Sequence, residues 1–412
     1  MDTVLGLWET LLRDAIVYLK HNDYRERDYH DAFAFGVEKL AKVFTGIGSY
    51  EKSISVIIER NRDHIVHVVR TYLLGWKVFS RPSIGYEIID CGDTKYGEVK
   101  IKFGNKEFDF KISVAEKEAM WCIIALCHDL GLALENVYDL NRAVRSTFEQ
   151  IGKLSVKELE YVVSPMFQNI CSQVLSVTAA SIQPTGINGE FAIHIQPKYY
   201  HKFMVALDSY DHGVLSCVIL MRSLVYFLET DFQLDKVKSL KPEDARQFLI
   251  RSNILRAIAS HNCDFIYHIT IMNFPFLLVL MDEMQEWDRP RPAMFRQENV
   301  LKARLEILTL NTEEVEFIVI FRGDDKDKHH EEVYEYAKRK FQKFLRILRC
   351  AVDSRGRIKL KFHVEDATRS TPWRYILDHQ SPRKEDIVIT MPKTKEWEDW
   401  AGDRTKEDWL DL

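Results

Sequence analysis

The sequence predicts a mainly helical protein with a β-hairpin insertion and a C-terminal α+β region. Apolar residues recur at three- and four-residue spacing through most of the first 290 residues, which is the period of amphipathic helices. Between about residues 86 and 113, polar and apolar residues alternate instead, as in strands. After residue 290, strand-like segments flank a long helical segment. We therefore expect a helical domain over residues 1–290 and an α+β region over residues 291–412.

The first 113 residues contain helices followed by the insertion. Helical spacing runs through "VLGLWETLLRDAIVYL" and through "SISVIIERNRDHIVHVVRTYLLGW". The insertion consists of three alternating segments, "YEIIDCG", "GEVKIKFG" and "KEFDFKIS". The Gly-Asn pair in "FGNKEF" is a typical turn sequence, so the last two segments predict a hairpin.

Helical spacing returns from about residue 116 to 180, in "AEKEAMWCIIALC", "LNRAVRSTFEQIG" and "VKELEYVVSPMFQNICSQVL". The segment "SIQPTGINGE" contains Pro and Gly and predicts a loop. Further helices are expected at 213–230, 242–260 and 274–287, before the breakers of "EWDRPRPAMF". The α+β region then begins with the strands "ARLEILTL" and "EVEFIVIFRG", followed by the helix "KHHEEVYEYAKRKFQKFLRILR" and the strand "GRIKLKFHVE". The acidic tail "KTKEWEDWAGDRTKEDWLDL" predicts a peripheral helix or a docking segment.

Composition limits the class of protein. The 412 residues are 46% hydrophobic and 29% charged, as in folded globular proteins. The net charge of −5 provides no general basic field for nucleic acid, although a local basic groove is compatible with it. We find no apolar run of 18 residues and no signal peptide, and expect no membrane association. The seven cysteines form no CxxC motif, which favours free thiols in a reducing cytoplasm and excludes a zinc ribbon.

Ligand-type side chains stand where apolar helices begin or end. In "IIALCHDLG", His128 and Asp129 directly follow five apolar residues. The same arrangement recurs in "RDHIVHVVRTYLLG", "DSYDHGVLSCVILM", "RAIASHNCDF" and "FPFLLVLMDEMQEW". Taken singly, a histidine on an apolar helix is more often a hydrogen-bonded core residue, and an aspartate such as Asp282 is more often a helix-end or salt-bridged carboxylate. Their joint occurrence instead predicts a metal site built from His67, His128, Asp129, His212, His261 and Asp282.

This order, H…HD…H…H…D, resembles that of the HD-domain metal-dependent phosphohydrolases over about residues 50–290. "HVVRTYLLG" is similar to their first histidine helix, "ALCHDLG" to their HD doublet, and "LMDEMQEW" to their closing aspartate helix. Extra histidines between the doublet and the last aspartate resemble the binuclear branch, which includes the HD-GYP phosphodiesterases and, by ligand order, myo-inositol oxygenase. Leu132 stands where many of these enzymes have a lysine, and the GYP signature is absent.

The resemblance implies an HD-type helical bundle that holds two divalent transition-metal ions, which can be Mn, Fe, Ni or Zn, with Mg as a further option. His67, His128 and Asp282 would hold one ion, and His212 and His261 the other. Asp129 would bridge the two and so count as catalytic as well as metal-binding. A single ion, with His212 and His261 contacting substrate, is the alternative.

The expected substrate is a phosphate-bearing small molecule of the nucleotide type. His64 lies one turn before His67, where an imidazole can give a proton to the leaving group. Arg62, Arg70 and Lys117 are candidates for binding the phosphate. Arg62 and Arg70 can equally pair with carboxylates on a solvated helix face. A homo-oligomer is compatible with the sequence.

Three functions follow from these features. The first is a phosphohydrolase or phosphodiesterase that cleaves a phosphoester or phosphoanhydride with a metal-activated water. The second is a di-iron oxygenase of the myo-inositol oxygenase type, which shares the ligand order. The third is a nucleotide-binding sensor or interaction protein without turnover, suggested by the C-terminal region and its Trp-bearing tail.

Overall fold

The computed structural model describes most of the helical part and the strands of the C-terminal part. The described residues are 2–21, 36–54, 64–84, 100–103, 106–109, 112–137, 145, 150, 164–185, 190–228, 240–263, 266, 272–284, 302–311, 314–322, 343–344, 347, 359–366, 376–379 and 387–390. The chain forms two compact units. The first comprises residues 1–73, 88–266 and 273–278, and the second comprises residues 74–87, 267–272 and 279–412.

The prediction of a mainly helical fold is confirmed. The described helices are α1 (Asp2–His21), α2 (Val37–Ile54), α3 (His64–Phe79), α4 (Val114–Cys127), α5 (Pro165–Thr178), α6 (Pro197–Asp208), α7 (His212–Ser223), α8 (Val225–Leu228), α9 (Pro242–Ser260) and α10 (Phe274–Met284). A 3-10 turn at Pro82–Ile84 follows α3. The expected helix in "LNRAVRSTFEQIG" lies almost entirely outside the described residues.

Strands form four small sheets among the described residues. In the predicted insertion, β1 (Lys100–Phe103) pairs antiparallel with β2 (Lys106–Asp109). A second hairpin pairs β3 (Ala180–Pro184) with β4 (Phe191–Ile195). Its first strand falls in the segment for which the sequence predicted a loop, so that prediction was wrong there. The segment is short and interrupted by Pro184, and only the pairing with Phe191–Ile195 makes it a strand.

In the second unit, β5 (Lys302–Leu310) pairs antiparallel with β6 (Glu314–Arg322). Strand β6 pairs in parallel with β7 (Lys359–Asp366), as expected for a β-α-β connection. The predicted connecting helix lies mostly outside the described residues, although Phe344 is helical and stacks on Phe317 with ring centroids 4.7 Å apart. A further pair, β8 (Ile376–His379) with β9 (Ile387–Thr390), is antiparallel. The acidic tail lies outside the described residues.

The central helix of the first unit is α4, and its sequence explains both its start and its burial. Ser113 begins it with a capping box, in which its hydroxyl accepts from the Glu116 N–H and the Glu116 carboxylate accepts from the Ser113 N–H. From residue 119 to 127 every side chain is buried. By length and composition, the described residues contain one helix that could cross a membrane, 114–137, or two candidates if the bent pair α6 (Pro197–Asp208) and α7 (His212–Ser223) counts as one span. Of the apolar window in 114–137, 67% is buried inside the protein. Such burial is that of a core helix.

Polar contacts fix the helices around α4. The Trp121 indole donates to the Tyr72 carbonyl oxygen of α3 at 3.0 Å, and Glu116 pairs with Arg246 of α9 at 2.5 Å. Glu116 and Arg246 lie near the starts of α4 and α9, and the rings of His128 and His261, at the ends of these helices, are 5.1 Å apart, so the two helices run in parallel.

The described cysteines are free thiols, as the sequence predicted, and most of them are buried. Burial raises the pKa of the Cys127 and Cys217 thiols well above the ordinary value, so both stay protonated. The prediction for Cys91 and Cys350 concerns residues outside the described part of the chain.

Candidate metal centre

Five of the predicted ligands lie together in the first unit. His67, His128 and Asp129 form one group, which we call the buried triad, and Asp129, His212 and His261 form a second, the outer triad. Within each triad the ligand atoms lie within 4.8 Å of one another. The two triads share Asp129, so the cluster can hold metal in two adjacent places.

The buried triad is closed to solvent. His128 is 0% exposed, His67 2% and Asp129 7%. Asp129 Oδ1 lies 3.3 Å from His128 Nε2, and its other oxygen, Oδ2, lies 3.6 Å from His67 Nε2. The carboxylate therefore presents one oxygen to each of two imidazoles.

The outer triad uses the same carboxylate, through the oxygen Oδ1 that also faces His128. Asp129 Oδ1 lies 3.5 Å from His212 Nε2 and 3.8 Å from His261 Nε2. The two imidazole nitrogens lie 3.0 Å apart. The His212 side chain is 12% exposed and that of its neighbour Glu135 27%, whereas that of His261 is 2% exposed, so the outer triad reaches solvent at its His212 end.

Two of the histidines are oriented by their own helices. His128 Nδ1 lies 2.8 Å from the Ala125 carbonyl oxygen, and His261 Nδ1 lies 2.6 Å from the Ile258 carbonyl oxygen. A carbonyl oxygen can only accept, so Nδ1 must donate its proton in both cases. Each Nε2 is then left with a lone pair that points at the cluster, which is how metal-binding imidazoles are usually held.

His212 is held by a carboxylate instead. Its Nδ1 forms a short hydrogen bond with Glu135 Oε2. Burial opposes the charged imidazole, but the Glu135 hydrogen bond and the nearby Asp129 and Asp211 carboxylates outweigh it and raise the pKa of His212 to about 9. The sequence did not point to Glu135, which lies 77 residues before His212. Asp211 caps α7, accepting from the Gly213 N–H at 2.9 Å.

This donor set fits a transition-metal ion. The Glu135 carboxylate fixes Nδ1–H on His212, and the Ile258 carbonyl fixes it on His261, so the lone pairs of the two Nε2 atoms face each other at 3.0 Å. Two facing lone pairs repel unless a proton or a cation lies between them. A cation roughly 2.0–2.1 Å from each nitrogen satisfies both. Imidazole and carboxylate together are the ligands that Mn, Fe, Ni and Zn accept.

Two small residues let the helix ends approach closely. A Cβ on Gly131 would lie 2.3 Å from the His212 carbonyl oxygen, and one on Gly213 would lie 2.6 Å from that of Ile258. Ser216 connects the same segments, since its hydroxyl donates to the His128 carbonyl at 2.6 Å and accepts from the Gly131 N–H at 2.8 Å. Residue 131 therefore has to be glycine for α7 to reach the doublet. The glycine is visible in the sequence, but its contact with α7 is not, because the two are distant in the chain.

The other predicted site residues are placed differently. Asp282 is half-buried on α10, in the part of that helix that belongs to the second unit, and neither triad contains it. Arg70 is exposed on α3, three residues after His67. Arg62 and the side chain of His64 lie outside the described part of the chain.

Lys117 does not lie near the cluster. It is buried, 8% exposed, and precedes His128 by eleven residues on α4. At 1.5 Å per residue this separates their backbones by about 17 Å. Arg256, another cation close to a ligand in sequence, donates to the Thr178 and Ala180 carbonyl oxygens and so holds α5 to β3.

Comparisons with models of protein families, with curated proteins and with solved structures found no match for this chain. The buried cluster of histidines around Asp129 is therefore the basis on which its function is argued.

Proposed function

We propose that the protein is a metal-dependent phosphohydrolase or phosphodiesterase of the HD type, acting on a nucleotide-like substrate. The observation that carries this proposal is the pair of His/Asp triads sharing the Asp129 carboxylate. Building such a cluster among buried apolar helices costs free energy, because each polar group loses its hydration. A bound cation offsets that cost.

Adjacent triads favour phosphoester hydrolysis over simple metal storage. When bound, a pair of divalent ions neutralises phosphate oxygens and lowers the pKa of water enough to supply a nucleophile near neutral pH. Asp129 fits the bridging role because its two oxygens face different histidines. His128 and His261 present Nε2 in a fixed direction, since their Nδ1 protons are engaged by backbone carbonyls.

The exposure of the two triads suggests where substrate binds. His212 and Glu135 are partly exposed, whereas the buried triad is closed, so a phosphate group approaches from the side of the outer triad. Arg70 is exposed one turn after His67 and is proposed to attract the anionic substrate. His64 is proposed as the proton donor to the leaving group, and Asp282 as a further ligand.

The test combines metal analysis with an assay of phosphoester hydrolysis. Wild type is expected to contain about two transition-metal ions per chain and to release phosphate or a nucleoside monophosphate from nucleotides or cyclic nucleotides in the presence of Mn or Fe. Asp129→Asn is expected to lose both ions and more than 99% of the activity, because both triads need its negative charge. The matched control is Asp208→Asn, an exposed aspartate at the end of α6 that should change neither quantity.

Several outcomes contradict the proposal. If the protein binds no metal even after reconstitution, the sensor or interaction role is the better explanation. Oxygen consumption by an iron-loaded sample, without phosphoester cleavage, would favour the oxygenase. Full activity in Asp129→Asn would mean that the cluster takes no part in the reaction. His64→Gln and Asp282→Asn, measured in parallel, decide the roles proposed for those two residues.

A further inference from the structure

One histidine of the outer triad, His212, is oriented differently from His128 and His261. His128 and His261 each follow the last turn of a helix, so the carbonyl three residues earlier is available to accept from Nδ1. His212 is the first residue of α7, and no helical turn precedes it. Its own helix therefore cannot fix its ring, and a side chain from elsewhere must do so.

That side chain is Glu135. It lies six residues after Asp129, on the helical turn that follows the doublet, where its N–H donates to the Gly131 carbonyl at 3.3 Å. Its carboxylate accepts the Nδ1 proton of His212, which leaves Nε2 directed at Asp129 and His261. The Asn262 amide nitrogen lies 3.2 Å from the same Nδ1 and 3.5 Å from Asp211 Oδ2, so it is a weaker neighbour of the ring.

We propose that Glu135 is a positioning residue that creates the outer metal subsite, and that this subsite holds the exchangeable, substrate-facing ion. The inference rests on the two-metal centre of the proposed function, and it adds that the two triads exchange their ions at different rates. The buried triad, whose His128 is fixed by its own helix, retains its ion tightly. The outer triad depends on one partly exposed carboxylate, so its ion enters and leaves first.

The experiment measures metal binding directly and does not depend on turnover. Wild type, Glu135→Ala, Glu135→Gln and the control Glu38→Ala are stripped with a chelator and titrated with Zn²⁺ and Co²⁺. Glu38 is an exposed carboxylate on α2 that pairs with exposed Arg13 of α1, so its removal should leave metal binding unchanged. Circular dichroism verifies that each variant is folded.

We expect two binding events in wild type and in Glu38→Ala. Glu135→Ala should keep the tight event and weaken the second by about 10–100-fold, which is the usual effect of removing the partner of a metal-binding histidine. The affinity of Glu135→Gln for the second ion should fall between those of wild type and Glu135→Ala. Its amide oxygen still accepts from Nδ1 but carries no charge. The visible spectrum of the second Co²⁺ ion, and the ¹⁵N shifts of His212 in the Zn²⁺-loaded protein, should change in Glu135→Ala while those of His128 do not. A residue that merely stabilises the fold would not produce this selective change.

The inference is overturned if folded Glu135→Ala binds both ions with wild-type affinity, or if it loses both events equally. Wild type that binds a single ion overturns it as well, together with the two-metal centre. Two-ion binding with the expected Glu135 effect, but without phosphoester hydrolysis, would contradict the proposed function alone and leave the role of Glu135 intact.

Discussion

The imidazole of His212 is held between the carboxylates of Glu135 and Asp129, and this determines how the metal-free protein responds to pH. Its pKa is about 9 in the folded chain, against 6.5 for an unperturbed histidine. The folded state thus binds the proton more tightly than the unfolded state does. The stability that this provides is fully present below pH 6.5 and is lost as pH rises through 9.

We therefore expect the melting temperature of the metal-free protein to fall between pH 6.5 and pH 9 by more in wild type than in His212→Gln. Exposed His201 offers a control, since His201→Gln should follow wild type. The affinity for metal should rise over the same interval, because a cation competes with that proton. Identical pH profiles for wild type and His212→Gln would contradict the assignment.

At the residue scale, sequence reasoning found the ligands but not their partners. His128 and Asp129 were recognisable because a polar pair after an apolar run needs a buried partner or a metal, and the structure brings them together with His67, His212 and His261. Glu135 gave no such signal, since a single carboxylate on a helical turn is ordinary. Ser216 was hidden in the same way, because both of its partners lie about 85 residues away.

The prediction for Lys117 shows the opposite error. Lys117 shares a helix with His128, but the length of that helix separates the two residues. Sequence distance along a helix translates into axial distance, so proximity of eleven residues does not mean contact. Among the predicted cations that the structure describes, Arg70 is the one within a helical turn of a ligand, three residues after His67, and it is exposed.

At the element scale, the approach of α7 to the doublet depends on Gly131. Gly131→Ala places a methyl group against backbone atoms of α7, which cannot rotate away. We expect it to lower the free energy of unfolding by about 1–3 kcal/mol, the usual cost of overpacking, and to weaken binding of the outer ion by displacing His212. Chemical denaturation and zinc titration measure the two effects.

Gly6 provides the matched control, since it lies on α1 with nothing within 4 Å of the added methyl. Gly6→Ala should raise stability by about 0.5–1 kcal/mol, because alanine favours the helix. Equal effects of the two substitutions would mean that helix propensity, and not the contact with α7, determines the result at Gly131.

The helices were predictable because their apolar spacing is local information. Helix α9 spans the residues expected from the sequence, and α4 begins at the capping box of Ser113. The β3–β4 hairpin was not predictable, since its first strand is defined by pairing with residues 191–195 and not by its own pattern. Helix α5 begins at Pro165 after the Ser164 cap, and the part of the expected helical segment before Ser164 lies outside the described residues.

At the scale of the whole molecule, the ligands of both triads belong to the first unit. Metal loading should therefore slow hydrogen exchange chiefly at the ends of α4 and α9 and at the start of α7, since binding stabilises the state in which these segments meet. Amides in β5 and β6 should exchange at the same rate with and without metal. Mass spectrometry of deuterated peptides measures both, and equal protection in β5 and β6 would contradict the prediction.

The two units alternate along the chain. Residues 74–87 and 279–290 are grouped with the second unit, although their sequence is helical or polar like that of neighbouring segments. Such a division follows from contacts between distant residues. Composition and periodicity, which report on neighbours in sequence, carry no information on it.

The parallel arrangement of α4 and α9 has an electrostatic consequence. Aligned peptide dipoles give the C-terminal end of a helix a partial negative charge of roughly half an electron. Both helices end at the cluster, one at His128 and the other at His261, whose rings are 5.1 Å apart. The positive end of α7 also points there, but the Asp211 cap offsets it. The ends of α4 and α9 and the Asp211 carboxylate thus contribute a negative potential at the histidines, and the fold favours a cation there even before the charge of Asp129 is counted.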